Sequence, residues 1–138
     1  MVFLQLINTP ENVRFLIKML IPAFMAILFI QSGLDKVFDF KGNLEYYKSH
    51  FSKTFLAPTV PMLTYTLTLL EIVAGVLCVI GTVALISGNT VWAFYGLLVC
   101  ALDFLCLFFG QRVAKDYAGA VTIATYFILN TTGLLLLI

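Results

Sequence analysis

Four stretches of this chain run almost without charge for about the 20 residues that a helix needs to cross ~30 Å of hydrocarbon. They cover approximately 13–38, 60–87, 90–110 and 117–138. In lipid every backbone polar group must be satisfied within the segment itself, so runs of this length fold as helices. The rest of the composition agrees. The chain is 62% apolar with a mean hydropathy of +1.04, and 11% of its residues are charged, against about 25% in a soluble domain. Water is therefore a poor solvent for most of its surface, and an integral membrane protein is expected. Only Ser87, Gly88 and Asn89 separate the second and third segments, and only "QRVAKD" separates the third and fourth. Connections this short force antiparallel hairpins. The expected fold is all-α, a four-helix up-down bundle forming one membrane domain over residues 1–138, with both termini at one end.

Several classes of function are disfavoured at once. The net charge is +1, and no basic cluster with interleaved aromatics marks a nucleic-acid surface. No basic region precedes the first apolar residues and no small-residue cleavage site follows Phe29, so the first helix is read as retained rather than as a secretory signal. Cys78, Cys100 and Cys106 all fall in apolar runs and none forms C-x-x-C, which reads as packed thiols. His50 is the single histidine; it cannot supply paired haem ligands, and no metal-ligand spacing accompanies it.

Within the first segment Pro22 removes a backbone hydrogen bond and predicts a kink, while Lys18 can snorkel to the interface. The first loop is the one substantial extramembrane piece. Over about residues 42–56, Leu44, Tyr47, Phe51 and Phe55 fall on one helical stripe, with Glu45, Lys48, Ser52 and Lys53 elsewhere. This predicts an amphipathic helix that lies in the headgroup layer or caps the bundle, ended by Pro58 and Pro61. Lys36, Lys41, Lys48, Lys53, Arg112 and Lys115 lie at the end carrying loops one and three, against Arg14 and Lys18 at the other. Counting places the former end in the cytoplasm; a first helix that sets its own orientation would do the reverse.

Two acids stand out. Glu71 lies in "LTLLEIVAGVLCVIG" and Asp103 in "LLVCALDFLCLFFG". An acid at a helix centre costs about 2.5–3.5 kcal/mol on insertion scales, so it faces protein or water rather than lipid. By residue count Gln31, Glu71, Asp103 and Tyr126, one from each helix, all occupy the half of the bundle nearest loop one. If their faces converge they form one polar pocket beneath the amphipathic segment. The alternative is interhelical locking, in which a protonated acid bonds across helices or an ionised one pairs with Lys36 or Arg112.

An Arg near the start of helix one, "SGLDK" closing it, and "LEIVAGVLCVIG" in helix two together resemble the DoxX-like family of small four-helix membrane proteins. The matching positions are Arg14, Gly33, Lys36, Glu71 and Gly75. What the resemblance implies is a bacterial inner-membrane protein, in some relatives a subunit of quinone-linked sulfur oxidation and in others a companion of redox-protective proteins. The fold also resembles the bundle of vitamin K epoxide reductase, which works through a cysteine pair that spacing does not show here.

Three functions follow as expectations. The first is a redox-associated subunit whose pocket, with Gln31, Lys36, Glu71, Asp103 and Tyr126 as ligand-binding residues, takes a quinone or similar lipophilic molecule. With no electron carrier encoded, turnover would need a redox partner. The second is a non-catalytic accessory subunit of a larger membrane assembly. The third is a small proton-coupled transporter, against which the long first loop argues.

Overall fold

A computed structural model describes residues 2–138, with the side chains of Phe3 and Leu6 outside the described set. The order is α1 (Val2–Leu6), α2 (Pro10–Phe38), α3 (Phe40–His50), a short 3-10 turn at Ala57–Thr59, α4 (Val60–Ile86), α5 (Val91–Val113) and α6 (Tyr117–Leu137). Four of these, α2, α4 (with its preceding turn), α5 and α6, are long and apolar enough to cross a membrane. They pack in a ring, α2 on α4, α4 on α5, α5 on α6, and α6 back on α2. Leu136 of α6 shares a surface pocket with Ile7, Thr9 and Val13, so the two ends of the chain meet at one end of the bundle.

Local sequence explains most helix ends. Thr9 caps α2 by accepting the Asn12 N–H at 3.2 Å, with Pro10 in the first turn where its missing N–H costs nothing. That start lies three residues before the apolar pattern begins. α2 runs on through buried Pro22 to Phe38. Gly88, at φ +81°, turns the chain between α4 and α5, a conformation that a side chain disfavours. α5 continues three residues past Gly110 to Val113, and Lys115 takes φ 59° before Asp116 caps α6.

The interior is built from Met25, Phe29, Ala74, Cys78, Leu97, Cys100 and Phe104. The outside is just as apolar, with Ile27, Leu69, Val83, Ile128 and Leu135 all exposed. Water-soluble monomers rarely expose apolar surface on this scale, and with four helices long and apolar enough to span this is a multi-pass integral membrane protein. Because lipid is as apolar as leucine, such helices associate through close packing. The α4–α5 seam shows it best, since a side chain at Gly81 would meet the Ala93 backbone at 2.5 Å. Several buried polar groups are bonded within the bundle: Thr64 and Thr68 donate to carbonyls one turn back, and Asn130 Nδ2 donates to the Leu97 carbonyl at 2.8 Å, joining α6 to α5.

Candidate functional site: an ionic cluster and a cavity beneath α3

Glu71 stands eleven residues in from Val60 and Asp103 ten residues in from Val113, which puts both ~15 Å below the loop-one ends of their helices. Lys36 lies only two residues from the end of α2. Side chains tilt toward the N-terminus of their own helix. Lys36 therefore reaches down into the bundle, and Glu71, on an antiparallel helix, reaches up. They meet with Lys36 Nζ 2.9 Å from Glu71 Oε2 and 3.2 Å from Oε1. Ser32, one turn before Lys36, completes the cluster: its Oγ accepts from Lys36 Nζ at 2.9 Å and donates to Glu71 Oε2 at 3.1 Å. Both charged side chains are almost wholly enclosed.

Asp103 is completely buried within the electrostatic reach of Glu71 and Lys36, yet neither of its oxygens has a hydrogen-bond partner among the described residues. Gln31 is exposed on the outer face of α2. A one-residue step turns a helix by 100°, so Ser32 holds the inward position instead. Tyr126 is half-buried, and its ring stacks on Phe104 at 5.9 Å and approaches Phe24 at 6.2 Å, in aromatic packing between α2, α5 and α6. Of the five residues named from sequence, Lys36 and Glu71 bond directly and Asp103 stands near them, while Gln31 and Tyr126 lie elsewhere. Arg14 is exposed, 22 residues before Lys36 on the same helix, ~33 Å away.

Over this cluster lies α3. Asp39 closes α2 and also caps α3, its Oδ1 accepting the Gly42 N–H at 3.2 Å, so the two helices share a one-residue joint. Phe40 stacks on Tyr65 of α4 with ring centroids 4.3 Å apart. At the other end His50 Nε2 lies 2.9 Å from Gln111 Oε1 and 3.7 Å from Asp116 Oδ2, fastening α3 to the α5–α6 connection. The helix ends at His50, shorter than the stripe suggests, because Ser52 and Thr54 turn their hydroxyls back onto Ser49 and Phe51 carbonyls. Leu44, Tyr47 and Phe51 face inward as their spacing predicts; Phe55, beyond the helix, is exposed.

Between α3, α4 and α5 is a cavity of ≈ 620 Å³. Leu63, Leu67 and Leu70 of α4 and Leu105 and Leu107 of α5 form its apolar walls, and Tyr47, His50 and Gln111 supply polar groups. Tyr47 joins the two features, since it lines the cavity and also sits beside Lys36 and Glu71. Burial pushes its phenol above the ordinary value, helped by the Glu71 charge and opposed by Lys36. At neutral pH it is a neutral hydrogen-bond donor.

One further pairing was hidden in the sequence. Cys78 of α4 and Cys100 of α5 are both fully buried, with Sγ atoms 3.6 Å apart. The spacing test finds pairs within one helix, and these two approach from antiparallel helices across a hairpin, 22 residues apart.

Fold and site together define a small four-span membrane protein with an intramembrane Lys–Glu pair and a cavity under its first loop. The DoxX family model matches residues 18–102, more than half of the chain. The chain belongs to the DoxX family. The matched stretch holds Lys36, Glu71 and both paired cysteines and ends one residue before Asp103. No curated protein and no solved structure matches it.

Proposed function

We propose that this DoxX-family protein is a redox-associated membrane subunit that binds a quinone or a similar lipophilic molecule in the cavity beneath α3. The observation that carries the reading is the cavity itself. Its volume of ≈ 620 Å³ falls within the 300–1,000 Å³ or so typical of small-molecule sites, which are mostly apolar with a few placed polar groups. Leucine walls suit a ring and the start of an isoprenoid tail. The neutral Tyr47 phenol and the His50 ring suit a carbonyl oxygen. Lys36 and Glu71 act from behind Tyr47, fixing its orientation and charge, and Asp103 stands further in as a reserve carboxyl. Electrons come from a partner protein in the same membrane, a bacterial cytoplasmic membrane in this reading.

Equilibrium dialysis of decylubiquinone against protein-loaded and empty nanodiscs tests this. Saturable excess binding is expected, weakened about tenfold or more by Leu67→Trp, which fills the cavity. Equal partitioning into empty and loaded discs, or binding indifferent to Leu67→Trp, overturns the proposal and leaves a non-catalytic accessory subunit as the better description.

A further inference from the structure

We propose that Cys78 and Cys100 form an intramembrane dithiol that a hydroperoxide oxidises to an interhelical disulfide, locking α4 to α5. The two thiols lie level in the bundle, eight residues from the end of α4 and nine from the start of α5, with their Sγ atoms 3.6 Å apart. A disulfide needs ~2.05 Å, so the sulfurs must close by roughly 1.5 Å, a distance within reach of small side-chain rotations. The backbones on either side are already as close as helices come. A side chain at Gly96 would meet Cys78 at 3.0 Å, and one at Gly81 would meet Ala93 at 2.5 Å. The bond therefore forms without drawing the helices together. Cys106, the third cysteine, is exposed on α5. It meets the same oxidant without a thiol against it and serves as the internal control.

The chemistry balances with the hydroperoxide as sole oxidant. One sulfur attacks the peroxide, forming an S–O bond as the O–O bond breaks; the leaving alkoxide takes the thiol proton as an alcohol, and the cysteine becomes a sulfenic acid. The second sulfur then attacks that sulfur, the S–S bond forms, the S–O bond breaks, and hydroxide leaves with the second thiol proton as water. Two electrons pass from the thiol pair to the peroxide. A hydroperoxide is small and neutral and partitions into the bilayer, which suits a pair that no water-soluble thiol partner can reach. The proposal is independent of what occupies the cavity. Its consequence falls there nonetheless, since α4 and α5 supply the leucine walls and a covalent bond fixes their spacing.

The test is cumene hydroperoxide added to the folded protein in nanodiscs, followed by denaturation, alkylation of remaining thiols and intact-mass measurement, with the Cys106→Ser variant alongside. In Cys106→Ser the expected outcome is loss of both alkylatable thiols and of two hydrogen atoms, reversed by dithiothreitol, with peptide mapping joining Cys78 to Cys100. Cys78→Ala and Cys100→Ala each lose the crosslink. Wild-type mapping carries the result by itself if those variants fold poorly. Two thiols still alkylatable under oxidant that converts Cys106 in the wild-type protein, or a crosslink that forms only after denaturation, overturns the proposal.

Discussion

At Lys36 and Glu71 the physics of a buried ion pair decides what a substitution does. Together with Ser32 the pair satisfies its own donors and acceptors, so removing one partner strands the other charge in a low-dielectric interior. Such losses cost about 3–5 kcal/mol, whereas replacing both charges by apolar groups of similar volume is often neutral or stabilising. Glu71→Leu is therefore expected to destabilise the bundle by that amount in detergent unfolding titrations. The double variant Lys36→Met with Glu71→Leu should recover most of the loss. If the double variant is no better than the single one, the pair does more than neutralise itself. Sequence named both residues but left locking and pocket roles open, because antiparallel reach shows only once the helices are placed. It chose Gln31 where the structure uses Ser32: the two are polar neighbours in "IQSGLDK", and only the placed helix shows which of them faces α4. For Cys78 and Cys100 spacing within one helix carries no signal; the legible one is their near-equal distance from the α4–α5 turn, eight and nine residues, which shows depth but not which faces meet.

The element that controls the site is α3. Its anchors are the joint at Asp39, the Phe40–Tyr65 stack and the His50–Gln111 contact, and between them Tyr47 is packed against the ion pair. The phenol's raised value has a definite consequence. A neutral form favoured by the fold stabilises docking below the ordinary phenol value of about 10. Above it the undocked tyrosine ionises first, and the contribution is lost as pH rises through the higher docked value. Amide hydrogen exchange across residues 44–51 is expected to accelerate above pH ~10, once corrected for intrinsic rates. Tyr47→Phe should flatten that dependence while leaving exchange in α6 unchanged. An equal pH response in Tyr47→Phe would mean that another group releases the helix. The sequence showed α3 as an amphipathic stripe because its faces differ, whereas its true end at His50 depends on hydroxyl-to-carbonyl turns that hydropathy does not register. The spans themselves were legible from length and apolarity; their ends moved where polar residues continued a helix, as in Pro10–Asn12 and Gln111–Val113.

For the molecule as a whole, the ring of helices fixes which charges share an end, and this sharpens the question of orientation. Loops one and three lie together, at the end opposite α1 and the α4–α5 turn. Lys36 is consumed by Glu71 inside the bundle, so it no longer counts as a free cation for the positive-inside rule. Lys41, Lys48, Lys53, Arg112 and Lys115 remain at that end, all five exposed, against Arg14 and Lys18 at the other. Arg112 also lies over the Tyr117 ring, 4.7 Å from its centroid, an amphipathic pairing suited to the headgroup layer. The excess survives the loss of Lys36, and the expected topology has α3 on the cytoplasmic face. In a cysteine-free background, a cysteine at Lys53 or Lys115 should resist a membrane-impermeant maleimide in intact cells and react after permeabilisation, while one at Gly88 reacts from outside. The reverse pattern would show that Arg14 and Lys18 on the first span outweigh the larger count, and would place the cavity beneath α3 on the opposite side of the membrane.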